Sequence, residues 1–405
     1  MIREADAIVI GSGGFGASTA FHLARRGVTR VVLVERHEIG SQTSPRAAGM
    51  VSHVRGSDLL SRLVILASAG IRGFAETTGQ RLDRVHSGSL KIARRVADAD
   101  VLERDLTRAR DLGLDVEMIP PDEARRLHPF VHAEGIEAIL RIGDDMYFEP
   151  AQVAVGFAKG AQALGATLLP NTSVTRVVVE SGVVRGVEAG GVRIDAPVVV
   201  DAGGAWARQI AEASGIHVPL LPVRHQLFVT EPIEGAHATL PMVRIMDASV
   251  YVRPCQGGFM WGGYEEDPLW IDMSEMDAGF QIADTPLDRD VLLRLGKDVE
   301  PQFPILARAE VREHRGGIPT MTADGMHLVG PLPEAAGFFV ASGCNVAGLS
   351  VSPAIGDLLA ERITTGTSSL DLTPFSIERF RAEPVSGERF RRSAAWQYRH
   401  FYGSA

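Results

Sequence analysis

The order of apolar and polar positions near the N-terminus predicts a β-strand, an α-helix and a second β-strand in close succession. Residues 6–10 (DAIVI) and 31–35 (VVLVE) each contain four consecutive apolar residues, and residues 17–27 carry an apolar stripe at helical spacing. Short apolar runs are typical of buried strands, and a helical crossover joins strands that run parallel. The pattern therefore predicts a parallel βαβ unit at the start of the chain.

The pattern changes twice further along the chain. A helical stretch from residue 150 leads into short strands separated by glycine-containing turns, and residues 222–264 are rich in strand-like alternation. From residue 336 an apolar run leads into a glycine loop and a helix. We expect that helix to begin near Pro353, because proline suits the first turn of a helix. Further helices are expected at 58–75, 98–113 and 286–301.

A glycine-rich loop separates the first predicted strand from the first helix. Gly11 permits a tight turn, Gly13 allows the backbone to approach a pyrophosphate, and Gly16 allows the helix to pack closely on the sheet. The helix N-terminus then offers unpaired N–H groups to the phosphates. Glu35 ends the second strand, where a carboxylate can accept hydrogen bonds from ribose hydroxyls. This context predicts a dinucleotide site, but it does not separate NAD from FAD.

Three later segments favour FAD, which lies extended in a protein and needs contacts far along the chain. They are the small-residue run 43–50, the buried strand and glycines at 198–206, and the glycine loop 343–350 before the last helix. A helix N-terminus beside the flavin would stabilise the negative charge of the reduced ring. Their joint presence makes FAD the better expectation.

Composition narrows the function further. The 405 residues are 45% hydrophobic and 22% charged, as in globular proteins, and the net charge of −9 disfavours nucleic-acid binding. No apolar run approaches the ~20 residues that span a bilayer. Cys255 and Cys344 are too few for a disulfide framework, which favours a reducing cytoplasm. We expect no metal site. The sequence does not decide whether the protein forms a homo-oligomer.

Six stretches of the chain carry a resemblance to the D-amino acid oxidase superfamily of FAD-dependent oxidoreductases. They read GSGGFGAS, VVVDAGGAWA, HQLFVTEP, YVRPCQGGFMWGGYEEDP, GGIPTMTADGMHLVGP and GLSVSPAIGDLLAERI. Within that superfamily, the chain most resembles the glycine oxidase, sarcosine oxidase and dimethylglycine dehydrogenase group, over residues 4–380.

The resemblance implies an α/β (α+β) fold, in which a Rossmann-type FAD-binding domain is interleaved with an antiparallel-sheet substrate domain. The FAD-binding domain is expected at 1–80, 145–220 and 316–370, the substrate domain at 81–144 and 221–315, and a C-terminal tail at 371–405. The expected FAD contacts are Gly11, Gly13, Phe15, Gly16, Glu35, Arg36, Thr43, Ser44, Arg46, Ala47, Ala48, Gly49, Met50, Val174, Gly203, Trp206, Gly317, Gly343, Val346, Ala347, Gly348, Leu349 and Ser350.

The resemblance also implies oxidation of a small secondary or tertiary amine, by hydride transfer to flavin N5 and hydrolysis of the resulting imine. His225 would hydrogen-bond the amine or accept its proton, with a purely structural histidine as the alternative. Tyr251 and Arg253 share one strand face, where one would orient the substrate and the other bind a carboxylate. A solvated or salt-bridged Arg253 is the alternative to that role.

Two residues depart from the family pattern. Arg46 stands where dimethylglycine and sarcosine dehydrogenases carry a histidine bonded to the flavin, so we expect FAD to be held non-covalently. Ile318, in GGIP, stands where glycine oxidase carries a carboxylate-binding arginine, which weakens the case for an α-amino acid substrate.

Two further functions stay open at the level of sequence. One is FAD-dependent oxidation of a 2-hydroxy acid or another alcohol. The other is a flavoprotein subunit that serves a partner chain, with the C-terminal stretch WQYRHFYGSA as a docking segment. The electron acceptor of an enzyme would be oxygen or an electron-transfer protein.

Overall fold

The computed structural model describes residues 2–381 and 387–402. Its strands, in chain order, are β1 Ala7–Ile10, β2 Val31–Val34, β3 Met50–Val51, β4 Arg84–Val85, β5 Ser89–Ala93, β6 Val116–Met118, β7 Ala138–Ile142, β8 Met146–Phe148, β9 Thr167–Leu169, β10 Val174–Glu180, β11 Val183–Ala189, β12 Val192–Asp195, β13 Val199–Asp201, β14 Leu221–Pro222, β15 His225–Thr230, β16 Met242–Ile245, β17 Val250–Cys255, β18 Gly258–Gly263, β19 Val311–Gly317, β20 Thr320–Met321, β21 Leu328–Pro331 and β22 Phe338–Ser342.

The α-helices, in chain order, are α1 Gly14–Arg25, α2 Asp58–Arg72, α3 Phe74–Thr78, α4 Val96–Asp111, α5 Pro121–Leu127, α6 Pro150–Ala163, α7 Ala207–Glu212, α8 Arg289–Asp298, α9 Ile305–Arg308, α10 Gly348–Thr365 and α11 Glu388–Arg399. Among the residues of these helices, no stretch is both long and apolar enough to cross a bilayer.

A six-stranded sheet carries the N-terminal glycine loop. Its strand order is β21-β22-β13-β1-β2-β9, with β21 antiparallel at one edge and the other neighbouring pairs parallel. β1 and β2 are parallel neighbours joined by α1, so the predicted βαβ unit is confirmed. Every residue of these two strands is buried, and α1 packs against α6 and α10. Burial on both faces explains why the two strands are apolar throughout.

An eight-stranded sheet has the order β19-β15-β18-β17-β16-β5-β7-β6. Its neighbouring strands pair antiparallel, except that β16 and β5 run parallel. The sheet that the sequence predicted as antiparallel therefore contains one parallel pair. Its strands come from residues 89–142 and 225–317, whereas the six-stranded sheet draws on residues 7–34, 167–201 and 328–342. Both sheets are therefore discontinuous in sequence, and the predicted domain boundaries stay a prediction.

The last long helix, α10, begins at Gly348, which is earlier than the expected start near Pro353. Proline lacks an N–H group, so the carbonyl of Leu349 loses its helical donor. The Ser352 hydroxyl donates to that carbonyl at 2.9 Å and replaces the missing bond. The helix therefore tolerates an internal proline, and its N-terminus lies at the glycine loop.

The C-terminal tail, which no sequence pattern placed, folds back onto its own chain. α11 buries Phe390, Ala394 and Tyr398 in a cluster that also contains Tyr251. Residues 382–386 and 403–405 lie outside the described residues, so the sequence-predicted docking segment is described only up to residue 402.

Candidate active site

A cavity of about 550 Å³ is lined by residues from both large sheets. All the FAD contacts expected from sequence line it except Gly16 and Gly343, and His225 and Tyr251 line it as well. Arg253 is absent from its described lining. The structure thus brings the three separated flavin segments, the glycine loop and the proposed amine-binding pair to one space.

The glycine loop is shaped so that only glycine fits at two of its positions. Gly11 has φ +91°, and a Cβ there would lie 2.5 Å from the carbonyl oxygen of Ala202. A Cβ on Gly16 would lie 1.9 Å from the carbonyl oxygen of Gly11. Gly16 therefore serves the packing of α1 on the loop, and its place outside the cavity lining agrees with that role. The N-terminus of α1 is open to a pyrophosphate.

Glu35 lies at the same end of the cavity. Its Oε2 accepts from the Ser12 amide at 2.8 Å and from the Ser12 hydroxyl at 2.7 Å, and its Oε1 accepts from the His37 amide at 2.9 Å. These donors hold the carboxylate in one orientation at the cavity wall. A ribose whose hydroxyls donate to a carboxylate fits this position.

The loop before α10 lines the same cavity and is conformationally strained. Asn345 and Val346 have φ +44° and +60°, a region that a β-branched residue such as valine rarely adopts. The Asn345 side chain fixes the turn, because it donates to the Gly343 carbonyl at 2.8 Å and accepts from the Thr322 amide at 3.0 Å. Strain of this kind is concentrated at ligand sites. The turn aims the N-terminus of α10 at the cavity, as a flavin ring requires.

A chain of hydrogen bonds joins three aromatic residues. The Tyr251 hydroxyl lies 2.9 Å from His225 Nε2, and the Tyr398 hydroxyl lies 2.8 Å from His225 Nδ1. Tyr398 also donates to the Arg224 carbonyl at 3.2 Å. All these bonds are satisfied together when Tyr251 donates to Nε2 and Nδ1–H donates to Tyr398. His225 is then neutral and both its ring nitrogens are occupied.

Burial favours the neutral form of each group in this chain. It lowers the pKa of His225 to about 3, and it raises the pKa of Tyr251 above its ordinary value. An imidazole with this pKa is a poor general base near neutral pH. A neutral His225 is suited to orient Tyr251, and the role of His225 toward the amine stays a prediction.

Arg253 has a different environment from the one expected for a carboxylate-binding residue. Its Nε donates to the Ala48 carbonyl at 2.5 Å, its Nη1 donates to the Pro254 carbonyl at 2.8 Å, and its guanidinium lies 4.8 Å from the ring centre of Tyr147. The side chain thus holds the segment 47–50 in place through the Ala48 carbonyl, without itself lining the described cavity. It is neither solvated nor salt-bridged in the described structure, so neither sequence interpretation describes it.

Sequence reasoning missed several residues that line the cavity: Arg55, Arg244, Tyr264, Phe401 and Tyr402. Phe401 stacks on Tyr264 with ring centres 4.7 Å apart, and Arg55 lies 4.6 Å from the Phe401 ring centre. An arginine inside the otherwise apolar strand β16 was a usable signal for Arg244. The aromatic composition of the tail hinted at a packed segment, but nothing local indicated where it would pack.

A glycine loop, a carboxylate, a strained turn and a second helix N-terminus line one cavity, and together they define a dinucleotide-dependent oxidoreductase of the flavin type. Comparison with known families agrees: the chain belongs to the FAD dependent oxidoreductase (DAO) family, which it matches over residues 6–362. Its cofactor is FAD, and the cavity fits that group.

Individual relatives place the chain further within this family. It is 32% identical over 383 residues to the mitochondrial sarcosine dehydrogenase of Homo sapiens, an alignment that covers 93% of this chain and 41% of the relative. It is 30% identical over 374 residues to the 4-methylaminobutanoate oxidase (formaldehyde-forming) of Paenarthrobacter nicotinovorans, covering 92% of this chain and 45% of the relative. The chain therefore spans less than half the length of these two proteins.

A solved structure matches the chain over nearly its whole length. The glycine oxidase from Geobacillus kaustophilus superposes with a TM-score of 0.80 at 26% identity, covering 93% of this chain and 98% of that one. The interleaved fold expected from the family resemblance is thereby confirmed.

Proposed function

We propose that this protein oxidises a small secondary or tertiary amine with an amino-acid-like skeleton, giving an imine that water hydrolyses. The observation that carries the proposal is the hydrogen-bonded pair of Tyr251 and His225 in the cavity. Met50 and Val346, both expected to touch the flavin, pack against the cluster that contains Tyr251. The pair therefore lies beside the reactive end of the cofactor site.

FAD, when bound, supplies an acceptor for the hydride that leaves the carbon beside the amine nitrogen. The Tyr251 hydroxyl donates to His225, so its oxygen is free to accept a hydrogen bond from the N–H of a secondary amine, whereas a neutral tertiary amine has no N–H to donate. Arg55 adds positive charge to the same cavity, because Asp145 offsets only the charge of Arg244, and so disfavours the ammonium form of a bound amine. A neutral amine keeps the lone pair that imine formation needs. The chain's own residues thus hold the amine and select its reactive form.

The relatives support an N-methylated amine. Two of them are named for N-methyl substrates, and one of those names records formaldehyde formation. Loss of a methyl group as formaldehyde is the expected outcome when the oxidised carbon is an N-methyl carbon.

The proposal includes a non-covalent cofactor. Arg46 lines the cavity where family members with bonded flavin carry a histidine, and burial lowers the pKa of its guanidinium. A guanidinium that stays protonated at neutral pH is not a nucleophile. Arg46 instead offers positive charge and N–H donors to the cofactor.

The test is anaerobic mixing of the FAD-loaded protein with matched panels of N-methyl amines, cyclic amines and 2-hydroxy acids. Amines should bleach the flavin absorbance, and Tyr251→Phe should slow the bleaching about ten- to one-hundred-fold because the amine loses its orienting contact. Bleaching by hydroxy acids alone would replace the proposal with alcohol oxidation. No bleaching by any panel would favour a subunit that serves a partner chain. Admission of air after bleaching then shows whether oxygen is the acceptor.

A further inference from the structure

Arg244 is a buried cation held by only one side of its guanidinium. It lies in β16 with 2% of its surface exposed. Its Nη1 donates to Asp145 Oδ2 at 3.0 Å and to the Ser89 hydroxyl at 3.1 Å. Burial raises the pKa of Asp145, but the charge of Arg244 and the hydrogen bonds from His53 outweigh that effect and lower it to about 2. The carboxylate is therefore ionised and fixes one side of the guanidinium.

Among the described residues, the other edge of Arg244 has no hydrogen-bond partner of normal geometry. Its Nε and Nη2 are buried and make no hydrogen bond of normal geometry. These two N–H groups point the same way and form the fork that matches the two oxygens of a carboxylate. The same chain shows that match at Arg224, whose Nε and Nη2 hold Glu265 Oε1 and Oε2 at 3.1 Å and 2.7 Å. An unpaired buried donor is costly, so the open fork of Arg244 needs an explanation.

The position of Arg244 supplies the explanation. It is the cross-strand partner of Tyr251, so both side chains project from the same face of the sheet into the cavity. Arg55 lines the cavity too, and Asp145 offsets only one of the two positive charges. Among the described lining residues Glu35 carries the one carboxylate, and it lies at the ribose end. The reacting end therefore has an excess of positive charge beside the amine-orienting hydroxyl.

We propose that the Nε–Nη2 fork of Arg244, assisted by the charge of Arg55, binds a carboxylate of the substrate. This inference rests on the proposed amine oxidation and names its substrate class: an amino acid whose nitrogen meets Tyr251 and whose acid meets Arg244. It supplies the carboxylate recognition that Ile318 does not provide.

Tyr402 lies next to the fork. Burial raises the pKa of its phenol, and both the positive charge of Arg244 and a loose hydrogen-bonding contact with its guanidinium oppose that rise, so the two groups are close. No hydrogen bond of normal geometry joins the phenol to Nε or Nη2, however. A substrate carboxylate therefore has to compete with a neighbouring phenol for space, but not with an existing anion.

The test uses acids that cannot be oxidised as amines. Methoxyacetate, 3-methoxypropanoate and 4-methoxybutanoate carry an ether oxygen in place of the nitrogen, and each has a matched uncharged amide. Calorimetric titration of the FAD-loaded protein should show at least one acid binding about ten-fold or more tightly than its amide. Arg244→Lys keeps the charge beside Asp145 but loses the fork. The affinity for that acid should therefore fall about ten- to one-hundred-fold, and the affinity for the amide should not change.

Two further variants keep the test decisive. Arg94→Lys breaks a forked ion pair with Asp247 outside the cavity and should leave acid binding unchanged. Arg55→Gln, at a partly exposed position, should lower the affinity for the acid, and this variant remains usable if Arg244→Lys fails to fold. The proposal is overturned if no acid binds better than its amide, or if a folded Arg244→Lys or the Arg55→Gln protein binds acid as the parent does. These titrations need no turnover, so a failure of amine oxidation would be seen separately.

Discussion

Removal of a single hydroxyl from the C-terminal helix should disturb the site more than any change on its outer face. Tyr398 lies in α11, far along the chain from His225, yet its hydroxyl is 2.8 Å from His225 Nδ1. It also donates to the Arg224 carbonyl at 3.2 Å. Tyr398→Phe deletes one oxygen from a fully buried side chain and keeps the ring that fills the space.

The expected loss has two parts. His225 Nδ1 and the Arg224 carbonyl lose a shared buried partner, which should lower the free energy of unfolding by about 1–3 kcal/mol. Without an acceptor at Nδ1, the His225 proton can move to Nε2. Tyr251 would then have to accept from His225 rather than donate to it, and its hydrogen would turn toward the amine. A misplacement of a positioned group by about 1 Å can slow a reaction by roughly 10²-fold, so we expect amine-dependent flavin bleaching about ten- to one-hundred-fold slower.

Guanidinium chloride unfolding and anaerobic rapid mixing measure the two parts separately. Trp396→Phe is the matched control, because Trp396 lies on the same helix, is 39% exposed and stacks on His400 with ring centres 4.6 Å apart. The control should match the parent protein in both assays. If Tyr398→Phe bleaches at the parental rate at saturating amine, the hydrogen-bond chain does not orient Tyr251 and the reasoning fails.

Two other predictions concern Arg46 and His128. Because Arg46 cannot bond to the flavin, acid precipitation of the protein should leave FAD in solution, and yellow colour retained in the pellet would contradict a non-covalent site. His128 is buried, neither of its ring nitrogens has a hydrogen-bond partner in the part of the chain that the structure describes, and burial lowers its pKa to about 3. Between pH 6.5 and pH 3 the unfolded chain binds a proton there that the folded protein does not, so the folded state loses stability as pH falls. At pH 5 the cost is about 2 kcal/mol, and His128→Leu should reduce the loss of unfolding free energy between pH 7 and pH 5 by about that amount; an unchanged loss in denaturant titrations would contradict it.

The parts of the site that are local in sequence could be predicted from it. Gly11 and Gly16 are required by contacts within a few residues of the loop or with the adjacent strand end, and the strand–loop–helix context is visible in one stretch. Glu35 ends the next strand, so its place follows from the same βαβ unit. The start of α10 was predicted too late, because the rule for proline in a first turn ignored the Ser352 hydroxyl that replaces the missing donor.

The parts built by distant segments could not be predicted in the same way. Tyr398 and Phe401 reach the site only because the tail folds back over the eight-stranded sheet. No periodicity within the tail encodes that path, since the apolar face of α11 is compatible with any apolar partner. Their positions depend on long-range packing that a single sequence does not display.

Arg244 and Arg253 show where pattern reasoning stops even inside a regular sheet. Alternation correctly places Arg253 on the face of β17 that carries Tyr251, and the register places Arg244 on that same face of β16. The face alone, however, does not decide which arginine meets the substrate. The segment 47–50 packs over Arg253, and its Ala48 carbonyl accepts a hydrogen bond from Arg253 Nε. This segment does not cover Arg244, whose Nε and Nη2 have no described hydrogen-bond partner of normal geometry. Arg244 and Arg253 lie on the same sheet face and are both buried and charged, yet their contacts differ. Segments from elsewhere in the chain, such as 47–50, determine which part of that face they cover.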